Sequence, residues 1–311
     1  MEKRLNCTIS AKETGERLDR YLQKRLPRVS RAFLQSLISD GRATVNGVAI
    51  RKPSHRLKAG DRVALHMTKK PQGLIAQPEM AIPVLHEDAN FLIINKPSGI
   101  AAHPATLHGV GTVANWFLGH APEIRGVGDS PLRPGIVHRL DKGTSGVLVI
   151  AKTPDMFAHL KRLFAEWRIQ KEYIALVEGI FSPPEGTLEG YMTPSQKSYR
   201  KKKLALLPLT PSARASSTRY EVEQQCGQLS LVRFFPVTGR THQIRVHGAS
   251  VGHPIVGDTL YGAKLNMPHL VKGRFLLHAA RLSFELPSGK TVSFEAPLPN
   301  DFKETIAAYC H

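Results

Sequence analysis

Cysteine is scarce in this chain of 311 residues, which contains only Cys7, Cys226 and Cys310. The three lie far apart in the sequence and form no C-x-x-C pair. This spacing argues against a disulfide framework and against a cysteine-ligated zinc site. A reducing compartment is the simplest environment for such a sequence.

Long apolar runs are also missing. The longest, such as residues 91–94 and 147–151, fall far short of a membrane span. No apolar stretch follows the charged N-terminus, so a signal peptide is not expected. The sequence therefore predicts a cytoplasmic protein without a membrane partner.

Acidic residues are few, because 25 Asp and Glu stand against 43 Lys and Arg, a net charge of +18. This excess favours a polyanionic partner, of which nucleic acid is the commonest. A basic protein without such a partner is the alternative. The hydrophobic fraction of 41% is typical of a globular protein with a packed core. The length suggests about two domains.

Residues 1–67 form the first predicted domain, and the first 66 of them contain fifteen Lys and Arg against six Asp and Glu. Apolar residues at helical spacing predict a helix over 18–26 that ends at Pro27. A second helix is predicted to begin at Ser30 and to end at Gly41. Short hairpins follow, one of them with an Asn-Gly turn.

Five basic residues lie off the apolar stripe of these helices: Arg17, Arg20, Lys24, Arg28 and Arg31. They form either a solvated charged face or a surface that follows RNA phosphates. The segment resembles the ribosomal-protein-S4-type RNA-binding domain. The resemblance lies in Arg28-Val-Ser-Arg31, Asp40-Gly-Arg42, Val45-Asn-Gly47 and Leu57-Lys-Ala-Gly-Asp61. It implies that the basic face, with Arg28 and Arg31, binds folded RNA.

Residues 68–80 have little periodicity and contain two prolines, which predicts a linker. Residues 81–311 form the second predicted domain, where short β-rich runs alternate with a few helices. Thr153-Pro154-Asp155 predicts the start of a helix with a buried apolar stripe. That stripe consists of Phe157, Leu160, Leu163, Phe164 and Trp167. The pattern predicts an α+β fold whose large mixed, mainly antiparallel sheet is flanked by helices.

A turn rich in glycine and polar residues precedes the run from Val147 to Ala151, and Asp141 lies in it between Arg139 and Lys142. A carboxylate among cations stays ionised because opposite charges stabilise its charged form. Taken alone, such an aspartate is more often a structural partner of a cation than a catalytic group.

The surrounding string closely resembles the second motif of the pseudouridine synthases that modify ribosomal and transfer RNA. The matching residues are His138-Arg139-Leu140-Asp141 and Thr144-Ser145-Gly146. Further matches to this family are Phe91-Leu-Ile-Ile-Asn-Lys-Pro-Ser-Gly99, Lys171-Glu-Tyr173, Gly239-Arg-Thr-His-Gln-Ile-Arg-Val-His247 and Leu277-His278-Ala279. With the S4-type segment, the resemblance covers nearly the whole chain.

The resemblance implies a role for each matching residue. Asp141 corresponds to the essential aspartate, Tyr173 to a tyrosine that stacks on uracil and is implicated in proton removal, and Arg245 to the basic partner of the aspartate. Arg139 corresponds to an arginine that fills the gap left by the extruded base. Val246 is a candidate apolar wall. Thr241 is predicted to cap the helix that carries Arg245.

Isomerisation of uridine is intramolecular and without redox change, so no cofactor is expected. The chain has no P-loop and no G-x-G-x-x-G after a strand. No pair of histidines has metal-ligand spacing, so no metal is expected. Ionised Asp141 suits either attack at C1′ of the ribose or proton removal from C2′, and the sequence leaves both routes open.

The segment 195–219 has seven Lys and Arg and no acid, Lys201 among them. It is either a further RNA-binding surface, with Arg240 as another candidate contact, or a solvated loop. The architecture favours large-subunit ribosomal RNA as the partner and a monomeric protein. Transfer RNA, or a binding role in ribosome assembly without catalysis, are the alternatives.

Overall fold

The computed structural model divides into two compact units, Met1–Gln72 and Gly73–His311. It describes residues 3–27, 29, 31–67, 74–104, 109–195, 201–208, 210–265, 267, 270–271 and 273–310. Within this part of the chain, no helix has the length and the apolar character needed to cross a bilayer.

Unit 1 packs two short helices against a small antiparallel sheet. Its elements are β1 (Lys3–Thr8), α1 (Leu18–Arg25), α2 (Arg31–Ser39), β2 (Ala43–Val45), β3 (Val48–Ile50) and β4 (Arg62–Met67), with the strand order β1-β4-β2-β3. The predicted hairpin turn is confirmed, since Asn46 and Gly47 both have positive φ. The strand β1 was not predicted from the sequence. Arg28 and Ser30, the predicted RNA contact and helix cap, lie outside the described residues.

A buried carboxylate joins the two helices of unit 1. Asp19 is inaccessible to solvent and accepts hydrogen bonds from Arg17 Nε at 3.0 Å, Arg31 NH2 at 2.7 Å and Gln35 Nε2 at 2.7 Å. These contacts hold the pKa of Asp19 well below its usual range, against the opposing effect of burial. Arg31, predicted as an RNA contact, is therefore also anchored inside the unit, although its side chain remains 44% exposed.

Unit 2 is built on one ten-stranded sheet. Its strands are β5 (Val84–Glu87), β6 (Phe91–Lys96), β7 (Ser145–Ala151), β8 (Gln170–Glu178), β9 (Glu185–Pro194), β10 (Lys202–Ala205), β11 (Arg214–Cys226), β12 (Leu229–Pro236), β13 (Leu277–Glu285) and β14 (Thr291–Glu295). Its helices are α3 (Val113–His120), α4 (Pro154–Ala165), α5 (Gln243–Ser250) and α6 (Asn300–Tyr309). The predicted α+β class is confirmed.

The strand order of this sheet is β10-β9-β11-β12-β8-β13-β7-β6-β5, with β14 paired to β13. All neighbours are antiparallel except β13 and β7, which run parallel. The parallel pair lies in the middle of the sheet and brings the start of β7 beside the start of β13. Every residue of β7 is buried, which explains its continuous apolar run.

The helix α4 begins as predicted, since the Thr153 hydroxyl accepts a hydrogen bond from the Met156 N–H and Pro154 occupies the first turn. The assignment of Trp167 to its buried stripe is wrong. The helix ends at Ala165, Trp167 follows with a φ of 58°, and its side chain is 49% exposed. The left-handed residue turns this side chain away from the helical face.

Part of the predicted linker packs against unit 2. Leu74 is buried in the core of that unit. The side-chain amide of Asn115, on α3, donates to the backbone carbonyl of Ile75. The backbone carbonyl of Asn115 accepts a hydrogen bond from the backbone N–H of Gln77. Residues 68–73 lie outside the described part of the chain.

Cys226 and Cys310 form a disulfide, which corrects the expectation that their spacing argues against disulfide bonds. They are 84 residues apart, and their Cα atoms lie 4.3 Å from each other. The end of β11 and the residue after α6 meet only in the folded chain, so linear spacing held no sign of the bond. Cys7 is free.

Candidate active site

Asp141 lies in a tight turn that leads into β7. The backbone N–H of Thr144 donates to the carbonyl of Asp141 over 3.1 Å. The family-like segment Phe91–Gly99 holds the same turn from outside, because Gly99 N–H donates to the carbonyl of Lys142 over 2.8 Å. Two segments that are distant in the sequence therefore fix the backbone around Asp141 together.

The motif after Asp141 requires its glycine for packing. Gly146 pairs with Ala279 across the parallel strands, and a Cβ at Gly146 would lie 2.1 Å from the carbonyl oxygen of Ala279. Beside this pair, the Ser145 hydroxyl lies 2.9 Å from His278 Nδ1. Since His278 Nε2 donates to a backbone carbonyl, Nδ1 of the neutral ring accepts from Ser145. The matching segment Leu277-His278-Ala279 therefore anchors the start of β7.

Arg245 links two carboxylates. Its NH1 donates to Asp141 Oδ2 over 3.0 Å, while Nε and NH2 donate to Asp258 over 2.6 and 2.9 Å. The Cζ of Arg245 also lies over the rings of Tyr261 and Phe275, at 5.0 and 4.2 Å from their centres. Arg245 and Asp258 are almost inaccessible, whereas the Asp141 side chain is 17% exposed. The exposed member of this triad is therefore the one that can reach a substrate.

The helix α5 positions Arg245, but Thr241 does not cap it as predicted. The N-cap residue is His242, which has a left-handed backbone (φ 63°) and no side-chain capping bond. Gln243 holds the entry instead, since its side-chain carbonyl accepts from Arg240 N–H at 2.9 Å and from the Thr238 hydroxyl at 2.7 Å. The capping partner comes from inside the helix, a variant that the usual N-cap rule does not include.

His242 is a second group near the carboxylate of Asp141. Its Nε2 lies 3.7 Å from Asp141 Oδ2, and its Nδ1 lies 2.8 Å from the hydroxyl of Tyr261. That hydroxyl also accepts from the backbone N–H of Lys202 over 2.9 Å. Burial lowers the pKa of His242 below its usual range, although the Asp141 charge opposes this effect. The ring is therefore neutral at pH 7.

A cavity of about 530 Å³ opens over this triad. Asp141, Arg245, His242 and Tyr173 all line it. Tyr173 projects from β8, where it lies opposite Phe234 on one side. Burial, together with the Asp141 charge, raises the pKa of Tyr173 well above its usual range, so the phenol keeps its proton at neutral pH. A carboxylate, a neutral imidazole and an aromatic ring thus share one small chamber.

Arg139 and Val246 occupy different settings. Arg139 lines the cavity and is exposed, and no hydrogen bond or ion pair to another described residue holds its guanidinium. Val246 is buried in α5 and does not line the cavity, so it is not the apolar wall that was predicted. Ile244 and Leu277 line the cavity instead.

His138 is part of the cavity wall. Its Nε2 accepts a hydrogen bond from the backbone N–H of Val149 over 3.1 Å, and its ring stacks on Phe164 at 4.5 Å. Burial lowers the pKa of His138 to about 3. The ring is therefore neutral with its proton on Nδ1, and Nε2 is not free to act as a base.

Two further predicted RNA contacts differ in their relation to the cavity. Arg240 lines it, donates from Nε to the carbonyl of Ala215 over 3.0 Å, and lies over the ring of Trp167. Lys201 does not line the cavity, and the backbone N–H of its neighbour Lys202 donates to the hydroxyl of Tyr261. Of the basic segment 195–219, residues 196–200 and 209 lie outside the described part.

Three functional groups were missed by the sequence analysis. Asp258 has no motif that ties it to Arg245, and only the fold brings the two together. His242 stood inside a quoted motif without an assigned role. Lys96 is fully buried, donates to two backbone carbonyls at 2.8 Å, and has a pKa that burial lowers to about 7 while the Asp141 charge opposes this effect. Its position in the family-like segment Phe91–Gly99 was the one sign in the sequence that Lys96 belongs to the site.

Both parts of the chain are similar to known proteins. The family model described as RNA pseudouridylate synthase matches residues 90–250, and the S4 domain model matches residues 16–63. An uncharacterised RNA pseudouridine synthase of Synechocystis is 36% identical over 94% of this chain and 88% of its own. The ribosomal large subunit pseudouridine synthase D of Neisseria meningitidis serogroup B is 36% identical over 98% and 82%. The structure of human RNA pseudouridylate synthase domain containing 4 superposes with a TM-score of 0.59 at 26% identity, covering 72% of this chain and 92% of that one.

Proposed function

The chain belongs to the RNA pseudouridylate synthase family, and we propose that it isomerises specific uridines of large-subunit ribosomal RNA through Asp141. The matches to the RNA pseudouridylate synthase and S4 domain models confirm the resemblance found in the sequence. The choice of RNA rests on the relative from Neisseria, whose name specifies the ribosomal large subunit. A cytoplasmic location follows from such a substrate and is part of the proposal.

The observation that carries the catalytic role is the Asp141–Arg245 pair at the cavity wall. The reaction breaks the bond from uracil N1 to ribose C1′ and forms the bond from C5 to C1′. The proton on C5 is lost and N1 gains one, so atoms and charge balance. Asp141 is the carboxylate of the triad with more exposed surface, 17% against 2% for Asp258, and the ion pair with Arg245 orients it. It can attack C1′ or take the C2′ proton.

Entry to this cavity requires the uridine to leave its stack. Flipping costs a few kcal/mol, and stacking on an aromatic ring returns about 1–3 kcal/mol. Tyr173 is the aromatic side chain beside Asp141. Arg139, exposed and without a protein partner among the described residues, suits insertion into the space that the base vacates.

The test measures tritium release from transcripts labelled at uracil C5, with no cofactor added. Large-subunit ribosomal RNA and transfer RNA are compared, with wild type, Asp141→Asn and Asp155→Asn. Asp155 is an exposed aspartate in the first turn of α4 and is a matched control. We expect release from the ribosomal transcript by wild type and by the control, and none by Asp141→Asn. Release from transfer RNA alone would replace the substrate class, and full activity of Asp141→Asn would refute the catalytic role.

We propose that unit 1 binds an RNA helix near the target. Its first 66 residues have nine more basic than acidic residues, and unit 1 has its own core. Its removal is expected to weaken binding and its salt dependence, because fewer phosphates are contacted. The deletion of residues 1–66 is compared with the full chain for the dissociation constant at two salt concentrations. An unchanged salt slope would contradict this role.

A further inference from the structure

A second cavity, of about 570 Å³, adjoins the first. Trp167, Lys171 and Pro236 line both cavities, so they form a shared wall. Both volumes lie in the range of ordinary ligand pockets. None of the groups assigned to the reaction so far lines the second cavity, so it needs a separate explanation.

Trp167 presents an aromatic face at this shared wall. Its side chain is 49% exposed, which is unusual for the largest apolar residue, and its backbone is left-handed at φ 58°. A bulky residue rarely adopts this conformation, and such strain is concentrated at functional positions. Arg240 lies over the ring, with its Cζ 5.9 Å from the ring centre. The half-exposed indole therefore lies at the shared wall with a cation against its ring.

Beyond the shared wall, the second cavity is lined by two arginines and Phe235, together with the acidic Glu172. The guanidinium of Arg219 pairs with Glu221 and stacks on Phe235 with its Cζ 4.1 Å from the ring centre. Arg281 pairs with Glu172 and Glu295 but keeps 46% of its side chain exposed. Flat aromatic and guanidinium surfaces together with positive charge are the features that bind unpaired nucleotides.

We propose that the second cavity binds the unpaired base of a nucleotide next to the target uridine, stacked on Trp167. This inference rests on the proposed function, since it places a neighbouring nucleotide of the same strand beside the flipped uridine. The shared wall makes the two cavities close enough for consecutive nucleotides. The enzyme then recognises an unpaired neighbour as well as the target. Arg219 and Arg281 are placed to face its phosphate or its base.

Tryptophan fluorescence tests the contact directly, because the chain has only two tryptophans. Trp116 is 4% exposed and serves as a silent reference, so quenching by RNA reports on Trp167. The probe is the transcript that releases tritium in the activity assay, in its intact form and with an abasic residue 5′ or 3′ to the target. We expect quenching by the intact RNA, its loss in one of the two abasic transcripts, and its absence in Trp167→Phe.

Equilibrium binding measurements test how much this contact contributes to affinity. Trp167→Ala is expected to raise the dissociation constant for the intact transcript about tenfold, which is the effect of one lost stacking contact. Trp167→Phe should retain most of the affinity, and Tyr309→Ala, which removes a 44% exposed aromatic residue on α6, should retain all of it. The abasic transcript that lost quenching should bind wild type and Trp167→Ala equally.

The outcomes separate this inference from the proposed function. If wild type releases no tritium from any transcript, the proposed function fails. If release is normal while Trp167→Ala keeps the wild-type affinity, or while both abasic transcripts still quench, only the second base site is refuted.

Discussion

Asp258 binds the Nε and NH2 of Arg245 and leaves NH1 to face Asp141. The bidentate pair fixes the guanidinium plane, so the direction of the bond to Asp141 is set before substrate arrives. Asp258 touches no part of the cavity directly. It acts as a positioning residue, and its effect reaches the reaction only through Arg245.

Asp258→Asn is therefore expected to slow the chemical step about 10- to 100-fold, a loss of about 1.4–2.7 kcal/mol in transition-state stabilisation. RNA affinity should change little, because the phosphate contacts remain. Single-turnover tritium release gives the rate, and filter binding gives the dissociation constant. Asp129→Asn, which removes an exposed aspartate paired with Lys161, is the control. Equal rates for the two variants would contradict the positioning role.

We expect the buried amine of Lys96 to make the free energy of unfolding depend on pH. Burial lowers its pKa to about 7, whereas an unfolded lysine titrates near 10.5. Between these values the unfolded chain binds a proton that the folded chain does not, so the free energy of unfolding rises with pH. From pH 7.5 to 9.5 wild type should gain about 2 kcal/mol relative to Lys96→Met. Urea unfolding followed by Trp116 fluorescence measures this difference, and parallel pH curves would refute it.

The local motifs were predictable from the sequence because their chemistry is contained in consecutive residues. The turn at Asp141, the start of α4 at Thr153 and the hairpin at Asn46 are set by neighbours within a few positions. Arg245 and Asp141 are 104 residues apart in the sequence, and only the family resemblance indicated that they form a pair. The partner Asp258 had no comparable signal.

Other parts of the fold were not predicted from the sequence, because their structure depends on the residues packed around them. Six of the eight residues of α3 are buried, so this helix lacks the apolar–polar period that reveals a surface helix. The strand β9 contains Gly186 and Gly190, which weaken a strand pattern. Trp167 was assigned to a core because helical spacing continued to it, while the chain had already turned at Ala165. In all three cases, tertiary contacts and not the local sequence pattern determine the structure.

We expect the charge of Asp19 to stabilise unit 1. Asp19→Asn removes a buried charge that two arginines and a glutamine surround, and it should destabilise this unit by about 2 kcal/mol at pH 7. The folded pKa is lowered, so the stabilisation is complete above the usual carboxylate pKa. The difference between variant and wild type should shrink as the pH falls below about 4.

Hydrogen exchange of amides in α1 and α2 measures this local stability. The exposed Asp40, in the same unit, supplies the matched control Asp40→Asn. Protection that is equal in the two variants, or a difference that persists at low pH, would mean that the Asp19 charge does not stabilise the helix pair.

Gly146 offers the sharpest test of the packing around Asp141. Its φ is +113°, and a Cβ there would lie 2.1 Å from the Ala279 carbonyl oxygen, a distance that the central strands cannot relieve without moving apart. Gly289 has a φ of +83° with nothing within 4 Å of its Cβ position, so Gly289→Ala isolates the cost of the backbone conformation alone.

We expect Gly289→Ala to cost about 1 kcal/mol of unfolding free energy and Gly146→Ala at least about 3 kcal/mol more, since overpacking adds to the conformational strain. Displacement of β7 from β13 also moves the turn that carries Asp141, so Gly146→Ala should lose tritium-release activity even where it remains folded. Chemical denaturation and the activity assay, run on both variants, measure the two effects. If Gly146→Ala matched Gly289→Ala in both, the contact between the strands would not be the constraint that places Asp141.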